Sequence, residues 1–488
     1  MAIGDSGFAV FFAAAGVETG WGHAVRCGAL SSALLDYGWR VVFLCRPEVE
    51  GALKAVLPPP AEIVSEAPIK VGSIAAWARD RWPAGCDLLV IDDYALDDGF
   101  EPEFRPWARR SLVMEDIPNR RLAGDLLLDP TPGRTRTDYD SLLPRNCAVI
   151  GGARHALIRP AFSRVKRMPE KPPRVLVAFG ATDPSNATAS ALVALEGLSL
   201  DIVLGSSAPH LDGVRRMASA HRPGARLHVD IDANALANLM GYCALAVGAG
   251  GSGAWERCAA GLPSVVLEVA DNQRHVVQSL IEAGAAVSGA EDLRVAVDGI
   301  LTNRSIQEAM SCVAHNLCDG LGVMRVARML SGIWVPKGGR VTLTPAAPAD
   351  SDLMYNWQLH PETRRFAKQP NIPAREEHDV WFLGRMANAD SMLYMIEHEG
   401  QPSGVLRLDA EEVGVWLVSI YVAPDCHGRG IAGAALALAH SIWPQHEFKA
   451  EVLEDNVVSH KLFARAGYKD TNGLYRYPPR DAMEIRTR

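Results

Sequence analysis

Near-continuous apolar runs, spaced by segments of helical periodicity, limit how this chain can fold more than any other feature. FAVFFAAAG (8–16), WRVVFLCR (39–46), DLLVIDDY (87–94), SLVMEDI (111–117), DLLLDP (125–130) and CAVIGG (147–152) each read as a strand. Strands that are apolar on both faces belong to parallel sheets covered by helices on both sides. The intervening segments, such as HAVRCGALSSALLDYG, have helical periodicity and end in Gly. This alternation predicts a βαβ series and a doubly wound sheet over residues 1–165.

A basic, proline-rich stretch, SRVKRMPEKPPR (163–174), then reads as a linker. A second βαβ series follows in RVLVAFG, LDIVLG, ARLHVD, LAVGAGG and LPSVVLEV, and it ends in a helical stretch at SCVAHNLCDGLGVMRVARML. Two Rossmann-like lobes, 1–165 and 172–333, predict a ligand cleft between them in the GT-B arrangement. WVPKGGR (334–340) is a second linker. Beyond it the rhythm changes to strand–helix, hairpin, strand, then a turn into a long apolar helix. That pattern predicts a separate α+β domain at 341–488.

Composition narrows the function classes. The chain has 488 residues, 48% of them hydrophobic, with a formal net charge of −8. A length of this order calls for several cores. The acidic balance argues against nucleic-acid binding driven by counterion release. The 9 cysteines form no CxxC pair, which fits reduced thiols in a cytoplasm and gives no zinc site. The N-terminal apolar run has no basic flank and is too short to span a bilayer, so it reads as a buried strand. The expectation is a cytoplasmic protein with neither membrane nor metal as a partner.

Three turns of the two lobes carry chemistry. GWGHAVRC (20–27) sets His23 among small residues where a strand gives way to a helix. It reads either as a helix-capping histidine or as a base at the edge of a cleft. GAGGSGAWERCAAGLP (248–263) follows an apolar strand and opens a helix. Gly250, Gly251 and Ser252 let a diphosphate approach the backbone amides, and Glu256 is placed to accept ribose hydroxyls. ADNQ (270–273) follows the next strand, so Asn272 and Gln273 face the same cleft and hold sugar hydroxyls or phosphate. In FGATDPSN (179–186), Asp183 and Asn186 read equally as helix caps. Asp92, Asp93 and Tyr94 end the strand LLVIDDY, where a carboxylate can orient His23 or bind the sugar.

GWGHAVRC, LLVIDDYALD, EDIPNR, DLLLDP, GGARHALIRPAF, FGATDP and GAGGSGAWERCAAGLPSVVLEVADNQ occur in that order over about residues 8–330. Together they resemble the UDP-sugar hydrolase family of pseudaminic acid biosynthesis, which is similar in fold to GT-B glycosyltransferases but uses water as the acceptor. The resemblance implies His23 as the base, flanked by Gly20 and by Gly22 and Arg26, which it places on the substrate or its UDP. It implies that Asp92 and Tyr94 belong to the catalytic group, and it matches Asp116 and Arg120 to family positions. An imidazole titrates near neutrality, so it can take a proton from water. Trp21, Ala24 and Ala181 depart from the family pattern.

In the last domain, IYVAPDCHGRGIAGAAL (420–436) is a strand, a turn and a helix. KAEVLEDNVVSHKLFARAGY (449–468) gives a strand, Asn456, a helix and a Gly-aromatic turn. The pair resembles GNAT-type N-acetyltransferases over about residues 341–480. The resemblance implies that His427, Gly428, Arg429, Gly430 and Ala432 hold the pyrophosphate of acetyl-CoA. Tyr421, Val422 and Asn456 would then hold its pantetheine arm. His427 stands where Arg or Gln is usual, and Phe463 where many members carry a general-acid Tyr; Tyr468 and Tyr475 are the alternatives. LMYNWQLHPETRRFA and EEHDVWFLGRM resemble the sugar-acetylating members through Trp357, Arg364, His378 and Trp381, with Arg364 and His378 the substrate contacts.

The two resemblances together imply a bifunctional enzyme. It would use acetyl-CoA to acetylate the 4-amine of a UDP-4-amino-4,6-dideoxy-N-acetyl sugar. It would then hydrolyse the UDP-diacetamido product, for flagellin or surface-glycan modification. A GT-B glycosyltransferase, a non-catalytic nucleotide-sugar module, and a legionaminic-type sugar are the other readings.

Overall fold

The first series closes into a sheet of order β3-β2-β1-β4-β5-β6-β7. Its strands are β1 (Phe8–Ala13), β2 (Arg40–Leu44), β3 (Glu62–Val64), β4 (Leu88–Asp92), β5 (Ser111–Met114), β6 (Leu126–Asp129) and β7 (Ala148–Gly151). Every neighbour pairs in parallel. The strands β4, β5 and β6 are buried throughout, as unbroken apolar runs require. The strand order reverses between β1 and β4, and ligand crevices form outside the carboxyl ends of strands at such a point.

The second sheet repeats the device in the order β10-β9-β8-β11-β12-β13, again all parallel. Here β8 is Arg174–Ala178, β9 Ser199–Leu204, β10 Gly224–Val229, β11 Leu245–Ala249, β12 Ser264–Leu267 and β13 Val287–Ser288. Its reversal lies between β8 and β11. The edge strands β3 and β13 escaped the sequence reading because 3 and 2 residues carry no period.

The third sheet runs β14-β15-β16-β17-β18-β19-β21-β20. It comprises β14 (Ile333–Trp334), β15 (Arg340–Pro345), β16 (Ser391–His398), β17 (Gln401–Glu412), β18 (Val415–Val422), β19 (Glu447–Glu451), β20 (Lys469–Thr471) and β21 (Leu474–Tyr477). Its pairs are antiparallel except β18 with β19. That parallel pair holds register only from Val415↔Glu447 to Leu417↔Lys449. Past Leu417, β18 continues to Val422 while β19 diverges, which opens a wedge in the sheet. The chain is seen here in a computed structural model that describes residues 7–14, 21–65, 71–367 and 369–480.

The helix Gly322–Ser331 follows the second sheet in sequence but packs elsewhere. Val323, Val326, Ala327, Met329 and Leu330 join a core shared by the first and third sheets. We call it the crossover helix. Arg328 lies 4.4 Å from the ring centroid of Tyr37, and Trp39 Nε1 donates to Ser331 Oγ at 3.0 Å. Its end therefore meets the end of the helix Gly22–Asp36, and the two run parallel. At its other end Arg325 is fully buried. It donates to the carbonyl of Ile442 at 3.2 Å and to that of Arg154 at 2.7 Å, and it lies 4.3 Å from the Trp443 ring. The helix Ile431–Ile442 therefore runs antiparallel to it. Among the described residues no helix is long and apolar enough to cross a membrane.

Candidate active sites

Topology brings His23 and Asp92 together. His23 is on the first turn of the helix that follows β1, and Asp92 ends β4. These are the two strands at the reversal of the first sheet. His23 Nδ1 is 2.7 Å from Asp92 Oδ1. Arg26, one turn along the same helix face, donates through Nε to Asp92 Oδ2 at 2.7 Å and through Nη2 to Oδ1 at 2.5 Å. Cys27 Sγ is 3.4 Å from the same carboxylate.

Asp92 has no exposed surface. Burial alone would raise its pKa, but the charge of Arg26 and the hydrogen bonds from Arg26 and His23 outweigh that and hold it well below the usual carboxylate range. An ionised Asp92 requires the proton on Nδ1. Arg26 Nη2, 3.1 Å from Nδ1, is then bonded to the carboxylate and not to the ring. Nε2 keeps its lone pair as an acceptor. With no exposed surface, Asp92 orients the ring and does not touch a sugar. Arg26 was expected on the UDP, but its fork is occupied by Asp92, with Nη1 3.6 Å from Asp116.

Tyr94 stands edge-on to the His23 ring at 4.8 Å between centroids and donates to Asp116 Oδ1 at 2.5 Å. Burial, reinforced by Asp116, keeps its hydroxyl protonated far above the usual range. Behind it Glu115 is pushed up to about 7 by burial, against the pull of Arg120 at 2.6 Å. Asp93 caps the following turn through the Ala95 amide. Gly20 lies outside the described residues.

The second sheet's glycine turn faces this group. A Cβ built on Gly22 would lie 3.5 Å from Ser252 Oγ. The two glycine turns, each after a strand at the reversal of its own sheet, thus meet across the cleft. Gly250 is pressed against Val277 and Gln273, and a Cβ there would come within 2.5 Å of Val277. Gln273 Oε1 accepts from the amides of Gly250 (3.2 Å) and Val269 (3.4 Å), so its carbonyl braces the turn it was expected to assist. Gly251 precedes the helix Ser252–Ala259, and Ser252 and Asn272 are exposed. Glu256 is 8% exposed, and its pKa is raised by burial against Arg159 at 2.8 Å. Asp183 caps the helix Ala187–Ala194 through the amides of Ala187 and Thr188 (2.9 and 2.8 Å). Asn186 takes left-handed backbone beside it.

The second candidate site lies at the wedge of the third sheet. Tyr421 and Val422 end β18. The chain then makes a single helical turn, Pro424–Cys426, and reaches Gly428 (φ 71°) and Gly430 (φ 87°). Both are left-handed, so the turn requires glycine. His427 Nε2 is 3.2 Å from the Val422 carbonyl, and Arg429 donates to that of Asp425 at 3.0 Å. The helix Ile431–Ile442, which includes Ala432, thus opens with free amides on an exposed turn. Tyr421 packs against Trp357. Asn456 caps the next helix, Val457–Arg465, through the Ser459 amide at 3.1 Å.

Phe463 is buried against Tyr468 and Tyr475. Tyr468 is tied to His440 Nε2 at 2.9 Å and Tyr475 to His460 Nδ1 at 2.8 Å. Burial lowers His440 to about 3, so this ring is neutral, and burial keeps the Tyr468 hydroxyl protonated beside it. Tyr468 is 5% exposed and engaged with His440. His378, expected on the substrate, is 3% exposed, bonds the Ser351 carbonyl at 3.0 Å and lies among Trp381, Phe382 and Tyr355. It is a core histidine. Arg364 binds Gln358 at 2.8 Å and the carbonyls of Gln369 and Asn371, so it pins the loop after its own helix.

A cavity of about 490 Å³ between the first and third sheets contains none of these residues. Its Arg110, Glu397 and Thr344 satisfy one another. Among the described residues no group of His, Cys, Asp and Glu is arranged to hold a metal ion.

The profile of the acetyltransferase (GNAT) domain matches residues 340–469. An uncharacterised protein of Methanocaldococcus jannaschii is 20% identical over 481 residues, covering 93% of this chain and 95% of that protein. The UDP-2,4-diacetamido-2,4,6-trideoxy-beta-L-altropyranose hydrolase of Campylobacter jejuni is 27% identical over 216 residues, 44% of this chain and 74% of that enzyme. The spore coat polysaccharide biosynthesis protein SpsG of Bacillus subtilis is 24% identical over 205 residues, 39% of this chain and 60% of that protein.

Proposed function

We propose, for a chain that joins a C-terminal GNAT acetyltransferase domain to lobes homologous to a UDP-sugar hydrolase, that the two act in series on one nucleotide sugar. The domain at 341–488 transfers acetyl from acetyl-CoA to the 4-amine of a UDP-4-amino-4,6-dideoxy-N-acetyl sugar. The lobes at 1–165 and 172–333 then hydrolyse the UDP-2,4-diacetamido-2,4,6-trideoxy product to UDP and free sugar. The pseudaminic configuration follows the name of the Campylobacter relative. A cytoplasmic setting goes with this reading, as the cysteine pattern also suggests.

The observation that carries this reading is the chain Arg26–Asp92–His23 at the first sheet's reversal, opposite the glycine turn of the second. Asp92 fixes the ring with Nε2 as acceptor. Nε2 takes a proton from water as the water oxygen bonds to the anomeric carbon. The bond from that carbon to the diphosphate breaks, and its electrons leave with UDP. Amides at Gly251 and Ser252 receive the charge that develops on the diphosphate. Tyr94, held by Asp116, closes the other side of the ring. In the third sheet the wedge past Leu417 admits the pantetheine arm, and the amides after Gly430 take the pyrophosphate.

UDP and CoA release from the chemically defined UDP-4-amino sugar test the scheme. Wild type is expected to release UDP only when acetyl-CoA is present. His23→Ala should lose about 10³-fold in UDP release while CoA release continues. CoA release without UDP from wild type would sink the hydrolase half and favour a glycosyltransferase or a binding module.

A further inference from the structure

The hairpin that leads from the crossover helix into the third sheet reaches the second site. β14 pairs with β15, and Val335 and Gly339 close the turn, the Val335 amide donating at 3.0 Å. Gly338 and Gly339 are both left-handed, at φ 91° and 94°. This tight loop carries Lys337 at its tip. Lys337 Nζ donates to the carbonyl of Gly428 at 2.7 Å, inside the turn that opens the helix Ile431–Ile442. Both groups are exposed. A hydrogen bond there contributes little to folding once the ordering of a lysine is counted, so stability does not account for it.

Charge points the same way. On the turn itself the carboxylate of Asp425 and the guanidinium of Arg429 cancel, and Lys337 leaves the turn net positive. An ammonium has three donors. One is on Gly428, and two are left to face a ligand on the turn. Lys337 also precedes the segment matched by the acetyltransferase profile, which begins at residue 340. The family match therefore does not supply it.

We propose that Lys337 is an acetyl-donor-binding residue contributed by the interdomain hairpin, its ammonium contacting a phosphate of the coenzyme held on the turn. This rests on the acetyl-CoA reading above. The coenzyme site is then completed from outside the acetyltransferase domain. The crossover helix, clamped by Arg325, sets the position of the hairpin.

Calorimetric titration of the full chain with CoA, dephospho-CoA and pantetheine tests it, using wild type, Lys337→Met and Lys337→Arg. Lys337→Met is expected to weaken CoA about tenfold, the worth of one charge-assisted contact. Lys337→Arg should stay within about threefold of wild type, and pantetheine should bind all three alike. A loss that persists with dephospho-CoA assigns the pyrophosphate, and one that vanishes assigns the 3′-phosphate; both support the contact. Equal CoA affinity in wild type and Lys337→Met overturns the proposal. So does an equal loss with pantetheine, which would make Lys337 a brace of the turn. Wild type that binds no CoA overturns the acetyl-CoA reading itself, a failure distinct from these.

Discussion

His23 is held by a carboxylate that is itself held by an arginine, all three on side chains. The turn at Gly428–Gly430 offers backbone amides and two left-handed glycines, and its side chains bond back to its own carbonyls. Both turns follow a strand and open a helix, yet one site depends on residue identity and the other on backbone shape. A side-chain network fails when one member changes chemistry. A backbone site tolerates altered side chains as long as the chain keeps its path. His427 stands where Arg or Gln is usual, and the turn around it keeps its two left-handed glycines.

The sharpest way to press the contrast is Asp92→Asn. Asparagine keeps the shape but offers an amide donor to Nδ1, which moves the ring proton to Nε2 and removes the base. UDP release is expected to fall about 10³-fold. Arg26 is left without its countercharge, which costs about 3 kcal/mol of stability. CoA release by the same variant, measured in parallel, should be unchanged. UDP release within tenfold of wild type would show that the ring does not need its carboxylate.

The two sites share a support, and acid tests it. The helices bearing His23 and Gly430 both pack on the crossover helix but run in opposite directions, so their active ends point apart. Beside that support His155 and His446 are each lowered to about 4, chiefly by burial, with Arg325 adding for His155 and Arg154 for His446. Their folded pKa lies below the ordinary value near 6.5. The stability they contribute is complete above about pH 6.5 and is lost as pH falls toward 4, about 3 kcal/mol for His155. Urea unfolding followed by tryptophan fluorescence should show a lower midpoint at pH 4.5 than at pH 7. His155→Gln should show a smaller drop. Equal drops in the two proteins would remove His155 from the account.

How much of this was legible in the sequence follows from what each feature depends on. The strands β1, β4, β5 and β6 were readable because burial on both faces leaves polar residues only at their ends. The two glycine turns were readable because close backbone approach restricts residue choice. The bond between His23 and Asp92 spans 69 residues; the sequence leaves two roles open for the carboxylate that ends LLVIDDY, and the fold selects the one on His23. Arg26 reads as a ligand contact because it shares a motif with His23; the fold instead turns its guanidinium to Asp92. His378 and Arg364 were misread for the opposite reason. Their partners are backbone carbonyls, which any sequence has. The crossover helix shows its apolar stripe in sequence, but the stripe does not say which sheet it covers.

The smallest effects sharpen the contrast most finely, through a pair of substitutions in one turn. Gly430→Ala places a Cβ on backbone at φ 87°, where an L-residue costs about 1–2 kcal/mol. The turn should shift to relieve that strain, and CoA affinity should fall about tenfold. His427→Gln restores the residue type more usual at its position and changes only a side chain whose ring already bonds the Val422 carbonyl. Its effect on CoA affinity should stay within about twofold, since the amides do not move. Titration of both variants with CoA gives the comparison directly. If His427→Gln alters affinity as much as Gly430→Ala, the turn recognises its ligand through side chains after all. The second site would then be built on the same principle as the first.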